Sequence, residues 1–205
     1  MKGAVMDILS LHLSPHKGGN SDIMLDAFSQ AAAETGLEVV KVSVAGRRVE
    51  PCLGCGSCDS AGQCAITGDE MTDLYPLLAS AVNVVVSTSV YFYGVPAKGK
   101  ALIDRSQALW ARRYVLNQKE MMKPGGRGFL LALGATRGEN LFIPITLCAK
   151  YFFDALGLPK TFETLFFRGL EKPGDLARQP DRLQTIREAG QAFGRLILSD
   201  RAGRA

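Results

Sequence analysis

Four cysteines fall within thirteen residues, Cys52, Cys55, Cys58 and Cys64, in the spacing C-x2-C-x2-C-x5-C. Thiolates that close in sequence converge on one centre only if the backbone between them curls, and Gly54, Gly56 and Gly62 give it that freedom. The tight C-x2-C-x2-C run is the local spacing that ligates [4Fe-4S] clusters, in which successive thiolates take separate corners of a cube. Structural zinc more often uses two C-x2-C pairs set well apart. The spacing therefore favours an iron–sulfur cluster and leaves zinc as the alternative. Cys148 lies outside the motif on an apolar helical segment and reads as core.

Two further stretches carry chemistry. Ser14-Pro15-His16-Lys17-Gly18-Gly19-Asn20-Ser21-Asp22 stands between a strand-like run and an amphipathic segment. Proline and paired glycine permit a tight bend, and Asn20 or Ser21 is expected to cap the following helix and leave backbone N–H groups facing outward. Such a loop is an anion seat, suited to phosphate. It matches neither GxGxxG nor GxxxxGK(S/T), which sets aside the usual dinucleotide and nucleoside-triphosphate loops. The second stretch, Ser89-Val90-Tyr91-Phe92-Tyr93-Gly94-Val95-Pro96, places three consecutive aromatics at the exit of another strand. A flat conjugated ring needs such apolar walls together with backbone donors. His12, inside the first strand candidate, reads as a satisfied core histidine.

The elements that must position these residues follow from periodicity. Strand candidates run over Ala4–Leu13, Glu38–Val44, Val82–Thr88, Gly128–Leu133 and Thr161–Phe167. Helix candidates run over Ser21–Thr35, Glu70–Ser80, Lys98–Leu116, Leu141–Leu156 and Asp181–Leu198. Five β-α units in succession call for an α/β fold with a parallel sheet and helices on both faces, wound by right-handed crossovers. Both ligand loops then emerge at carboxyl ends of strands, where open α/β sheets bind ligands. The Gly- and Cys-rich loop Ala45–Asp69 reads as functional because it is too long for a connector, and Lys119–Arg127 reads as only mobile.

Together the SPHKGGNS loop, the SVYFYGVPAKGK segment and the following Ile103-Asp104-Arg105 resemble the flavodoxin-like NAD(P)H-dependent FMN reductases over roughly residues 1–165. The resemblance implies a three-layer sandwich with a five-stranded parallel sheet in the order 2-1-3-4-5. It implies that Ser14, His16, Gly19, Asn20 and Ser21 hold the FMN phosphate, and that Val90, Tyr91, Phe92, Tyr93 and Gly94 wrap the isoalloxazine and ribityl groups. Gly134-Ala135-Thr136-Arg137-Gly138 is similar to the segment near the pyrimidine edge of the ring, with Gly134 and Thr136 as binding residues. Where many relatives carry arginine this chain has His16, so phosphate affinity is expected to vary with pH. With the cysteine motif, the resemblance narrows to the iron-sulfur flavoprotein branch, in which Cys52, Cys55, Cys58 and Cys64 would ligate a [4Fe-4S] cluster beside FMN.

The totals agree with one α/β domain over residues 1–205, interrupted by a Cys-rich insertion at about 45–69. The chain is 205 residues long, 47% hydrophobic and 21% charged, with a formal charge of +4. Arg178, Arg182, Arg187 and Arg195 fall at roughly helical spacing with no interleaved aromatics, which reads as a solvated helix face and sets aside nucleic acid. No basic leader and no run of some eighteen apolar residues is present in the sequence, so a cytoplasmic protein without a membrane partner is expected. Thiols stay reduced there, which favours metal or redox work for clustered cysteines.

The function expected is an FMN-dependent oxidoreductase passing electrons between a [4Fe-4S] cluster and FMN, with ferredoxin or NAD(P)H as donor. The alternative is an NAD(P)H-dependent FMN or quinone reductase with an auxiliary cysteine loop, and a non-catalytic zinc module is a third reading. No catalytic base is nominated, because the cofactors carry the chemistry. A homodimer or higher homo-oligomer is expected through Leu109, Trp110, Tyr114 and the apolar segment Leu141–Leu156.

Overall fold

The computed structural model describes residues 6–203. Ala4 and Val5, with which the first strand candidate begins, lie outside them. Five strands, β1 (Ile8–His12), β2 (Val39–Ser43), β3 (Asn83–Ser89), β4 (Arg127–Gly134) and β5 (Glu163–Arg168), form one parallel sheet in the order β2-β1-β3-β4-β5. This is the flavodoxin-like α/β winding expected. The inner strands are almost continuously buried, as strands covered on both faces must be, and their side chains alternate between two cores.

On one face, Ile8, Val85, Phe129 and Leu131 pack against α1 (Asn20–Ala33) and α7 (Pro180–Ala202), with Phe28, Phe129 and Phe193 in mutual ring contact. On the other, Leu9, Leu11, Val84 and Val86 share a core with residues of α3 (Met71–Ser80), α4 (Ala97–Arg105), α5 (Gln107–Tyr114) and α6 (Ile143–Ala155). A short helix, α2 (Ser57–Ala61), sits inside the cysteine loop. Polar side chains are buried in the α1 face and each has a partner. Ser10 Oγ meets Ser29 Oγ at 2.8 Å, and His12 bonds Ser43 Oγ at 2.9 Å and Ser21 Oγ at 3.0 Å. These bonds fix the seating of α1, whose first turn carries the loop after β1.

Four expectations are corrected. The helix expected over Lys98–Leu116 is two helices that meet at Ser106, whose hydroxyl turns back onto the Leu102 carbonyl at 3.0 Å and leaves the start of α5 without a side-chain cap, while Arg105 is drawn inward. The Lys119–Arg127 segment is pinned rather than merely mobile. Its Met121 is buried, and Lys123 bonds the carbonyls of Gly157 and Leu78. Leu109 belongs to the core, while Cys148 is half-buried rather than core.

α4 packs closely against Leu13, the residue that follows β1. A Cβ on Gly99 would stand 2.4 Å from the Leu13 carbonyl oxygen, so only glycine admits this approach. Among the described residues no helix is long and apolar enough to cross a membrane.

Candidate functional site

The loops after β1, β3, β4 and β5 enclose a cavity of about 380 Å³ at the carboxyl edge of the sheet. Ser14, His16, Gly19, Asn20, Ser21, Val90, Tyr91 and Gly134 line it. Phe92, Tyr93, Gly94 and Thr136 are not part of its wall. Phe92 is fully exposed, and the Tyr93 hydroxyl leans toward Gly138 of the loop after β4. Leu170, Glu171 and Pro173 complete the cavity from the segment after β5, which no motif in the sequence marks as part of the site.

The capping expectation for Asn20 and Ser21 is corrected. Gly19 is the N-cap of α1 and no side chain caps the helix, because Asn20 and Ser21 already lie in its first turn. The Asn20 amide instead donates to the Lys172 carbonyl at 2.9 Å and accepts from the Leu176 N–H at 3.1 Å, tying the far wall to the helix start. First-turn N–H groups have no partner within their own helix, so an uncapped end facing a cavity is a seat for an anion. The exposed side chains of His16 and Lys17 stand beside it.

The rest of the loop is held rigidly. Asp22 accepts from the Gly18 N–H at 2.8 Å and pairs with Lys41 at 2.6 Å. Burial pushes the Asp22 pKa upward, but Lys41 and the Gly18 N–H outweigh it and leave the carboxyl below its usual value. Ser14 Oγ accepts from the Ser89 N–H at 2.8 Å, clipping the loop to the end of β3. His12 is the satisfied core histidine expected, and burial, the largest influence on it, lowers its pKa.

Beyond β3 the chain folds back on itself, with Tyr91 and Gly94 exchanging backbone hydrogen bonds of 2.9 and 2.8 Å. The two residues at the tip, Phe92 and Tyr93, have φ of 49° and 63°. Such a two-residue turn normally carries asparagine and glycine, and aromatic side chains there cost conformational energy. Strain and exposed aromatic surface coincide at the mouth of the cavity.

Cys52, Cys55, Cys58 and Cys64 line a second cavity, of about 440 Å³, closed on its inner side by Asp104, Arg105, Gln107 and Ala108. Gly56 and Gly62, with φ of 72° and 63°, are the two caps of α2 and turn the chain back on either side of Cys58. All four thiols are free of disulfides. The Gly54 N–H points to Cys52 Sγ at 3.5 Å, Ser57 Oγ lies 3.4 Å from Cys55 Sγ, and Arg105 Nε donates to Cys64 Sγ at 3.1 Å. Ser57 lowers the Cys55 pKa, whereas burial, helped by Asp59, raises that of Cys58. Among the described residues no group of three or more His, Cys, Asp or Glu side chains is gathered to hold a single metal ion.

The family profile described as NADPH-dependent FMN reductase matches residues 6–137. An iron-sulfur flavoprotein of Methanocaldococcus jannaschii is 27% identical over 197 residues, covering 94% of this chain and 97% of that protein. An iron-sulfur flavoprotein of Methanosarcina thermophila is 33% identical over 132 residues, covering 64% of this chain and 65% of that one. Among solved structures, the NAD(P)H:quinone oxidoreductase from Methanothermobacter marburgensis superposes with a TM-score of 0.64 at 18% identity, covering 93% and 96% of the two chains, a likeness of fold.

Proposed function

We propose that this chain, which belongs to the NADPH-dependent FMN reductase family, holds FMN in the cavity at the sheet edge and a [4Fe-4S] cluster on its four cysteines, as one domain over 1–205 with a Cys-rich insertion at 45–69. It is a flavin-dependent oxidoreductase homologous to iron-sulfur flavoproteins. The observation that carries the finer reading is that Cys52, Cys55, Cys58 and Cys64 all line one cavity, with a guanidinium donating to one of the sulfurs. Bound FMN would exchange electrons singly or in pairs and a cubane cluster singly, so the two together would interconvert hydride-type and one-electron transfers.

The chain's own residues supply the positions. The uncapped start of α1 and the Ser14 loop would seat the phosphate, with Lys17 offsetting its charge and His16 beside it. Val90, Tyr91 and Gly134 would line the ring, and the strained Phe92–Tyr93 tip would cover its open side. Asn20 keeps the segment after β5 against the opposite wall. One phosphate seat without a dinucleotide fingerprint favours FMN over FAD. We read the donor as NAD(P)H or a ferredoxin-type protein and the location as cytoplasmic.

Stopped-flow reduction separates the roles of the two centres. Cys55→Ala removes one ligand and is expected to keep its flavin, to keep reduction by NADPH where the parent has it, and to lose rapid flavin reduction by reduced ferredoxin. Equal rates from ferredoxin in variant and parent would make the cysteine loop auxiliary.

A further inference from the structure

α4 begins directly after the aromatic turn and ends on the wall of the cysteine cavity, and its last residue, Arg105, is buried with its side chain wholly out of solvent. A guanidinium carries five N–H donors in a fixed planar fork, and all five are used here. Nε donates to Cys64 Sγ at 3.1 Å. Nη1 donates to the Glu50 carbonyl at 3.0 Å and to Asp69 Oδ2 at 2.7 Å. Nη2 donates to the Ile66 carbonyl at 2.8 Å and to Asp69 Oδ1 at 3.3 Å. The acceptors bracket the motif: Glu50 lies two residues before Cys52, and Ile66 two residues after Cys64. The Arg105 carbonyl is itself held by the Tyr75 hydroxyl at 2.8 Å.

A residue serving only to close the loop needs the carbonyls and the carboxylate. The fifth donor is aimed at a sulfur. We infer that Arg105 is a positioning residue for the iron–sulfur centre, orienting Cys64 and setting the centre's reduction potential through that hydrogen bond; this rests on the cluster reading above. Adding one electron to a thiolate-bound cluster adds one negative charge to the cavity. A guanidinium within hydrogen-bond reach of a ligand sulfur favours that state and raises the potential, and it withdraws charge from the thiolate in a fixed direction. Lysine cannot replace it, since an ammonium has three donors and no fork.

The test uses the full-length protein purified and kept without oxygen. Iron and sulfide counts on the parent come first: a parent holding zinc, or no metal, overturns the cluster reading and this inference together. With the cluster present, Arg105→Lys keeps a cation against Asp69 but loses the bond to sulfur. Its midpoint potential is expected to move negative, and its iron to pass to a chelator about 10-fold faster or more, as is usual when a ligand's supporting partner is lost. Asp69→Asn keeps the bond to sulfur and removes a competing carboxylate, so its potential is expected to move positive. A purely loop-closing role would loosen the cluster in both variants and move both the same way. In the parent itself, isotopically labelled arginine is expected to show nitrogen coupling to the reduced cluster in electron–nuclear double resonance, a reading that does not depend on any variant folding. A loaded parent without that coupling, or an Arg105→Lys protein matching the parent in potential and iron retention, would overturn the role of Arg105 while leaving the cluster in place.

Discussion

Asn20 and Asp22 show how the loop after β1 depends on side chains that need not touch a ligand. Asn20 spans 152 residues to bind the Lys172 carbonyl, so its effect on the cavity is indirect. Asn20→Asp keeps an acceptor for the Leu176 N–H but sets a carboxylate against a carbonyl and near the phosphate seat. Losing one buried hydrogen bond and leaving its partner unpaired costs about 1–3 kcal/mol, so FMN affinity should drop by about tenfold or more in a fluorescence titration of the apoprotein. Unchanged affinity would remove Asn20 from the site. Asp22 gives a pH dependence whose sign follows from its depressed pKa. Its contribution is complete above the unfolded value of about 3.9 and is lost as pH falls through the lower folded value. Flavin retention should therefore weaken in that acid range, and Asp22→Asn should hold less flavin at neutral pH with a flatter acid limb. At this scale the sequence was readable where chemistry is local, as in the cysteine spacing and the SPHKGGNS loop. Asn20 was misread as a cap because its partners lie far along the chain and no local pattern announces them.

Element boundaries came through because the hydrophobic period changes sharply between buried strands and helices, and all five β-α units stand within a few residues of where the pattern puts them. The break at Ser106 was invisible, since serine at that spacing reads as an ordinary helical residue and only its bond to Leu102 reveals the turn. Leu170, Glu171 and Pro173 carry no chemical motif of their own, and the signal that could reveal them is Gly169 and Gly174, which mark a loop at the carboxyl end of β5. Two elements can be tested directly. Gly99→Ala drives a methyl group into Leu13 and should displace α4 as a unit, lowering FMN affinity at its start and iron content at its end. Loss of only one would show that α4 does not link the two sites. The aromatic turn offers the opposite case. Phe92→Gly relieves a left-handed conformation worth about 1–2 kcal/mol without uncovering any core, so urea stability should rise by about that amount while flavin-dependent turnover declines. Unchanged or reduced stability would mean that the turn is not strained.

Across the whole molecule, the two cavities lie on loops of one sheet edge, and the outer face of α6 stands apart from them with Ile143, Leu147 and Tyr151 exposed at successive turns. Tyr114 of α5 is exposed as well, its hydroxyl bonded to Asp154. An apolar stripe of this kind fits the homodimer expected from the sequence, and Leu147→Glu should shift the protein from dimer to monomer in light scattering at micromolar concentration. A monomeric parent would end that expectation. If the proposed function is right, one chain carries both a flavin and an iron–sulfur centre. Protein purified without oxygen, analysed for flavin, iron and acid-labile sulfide, tests it most directly. About one FMN, four iron and four sulfide per chain are expected, with the iron and sulfide falling away in Cys55→Ala while the flavin stays. Zinc without sulfide, or flavin that runs as FAD, would contradict it.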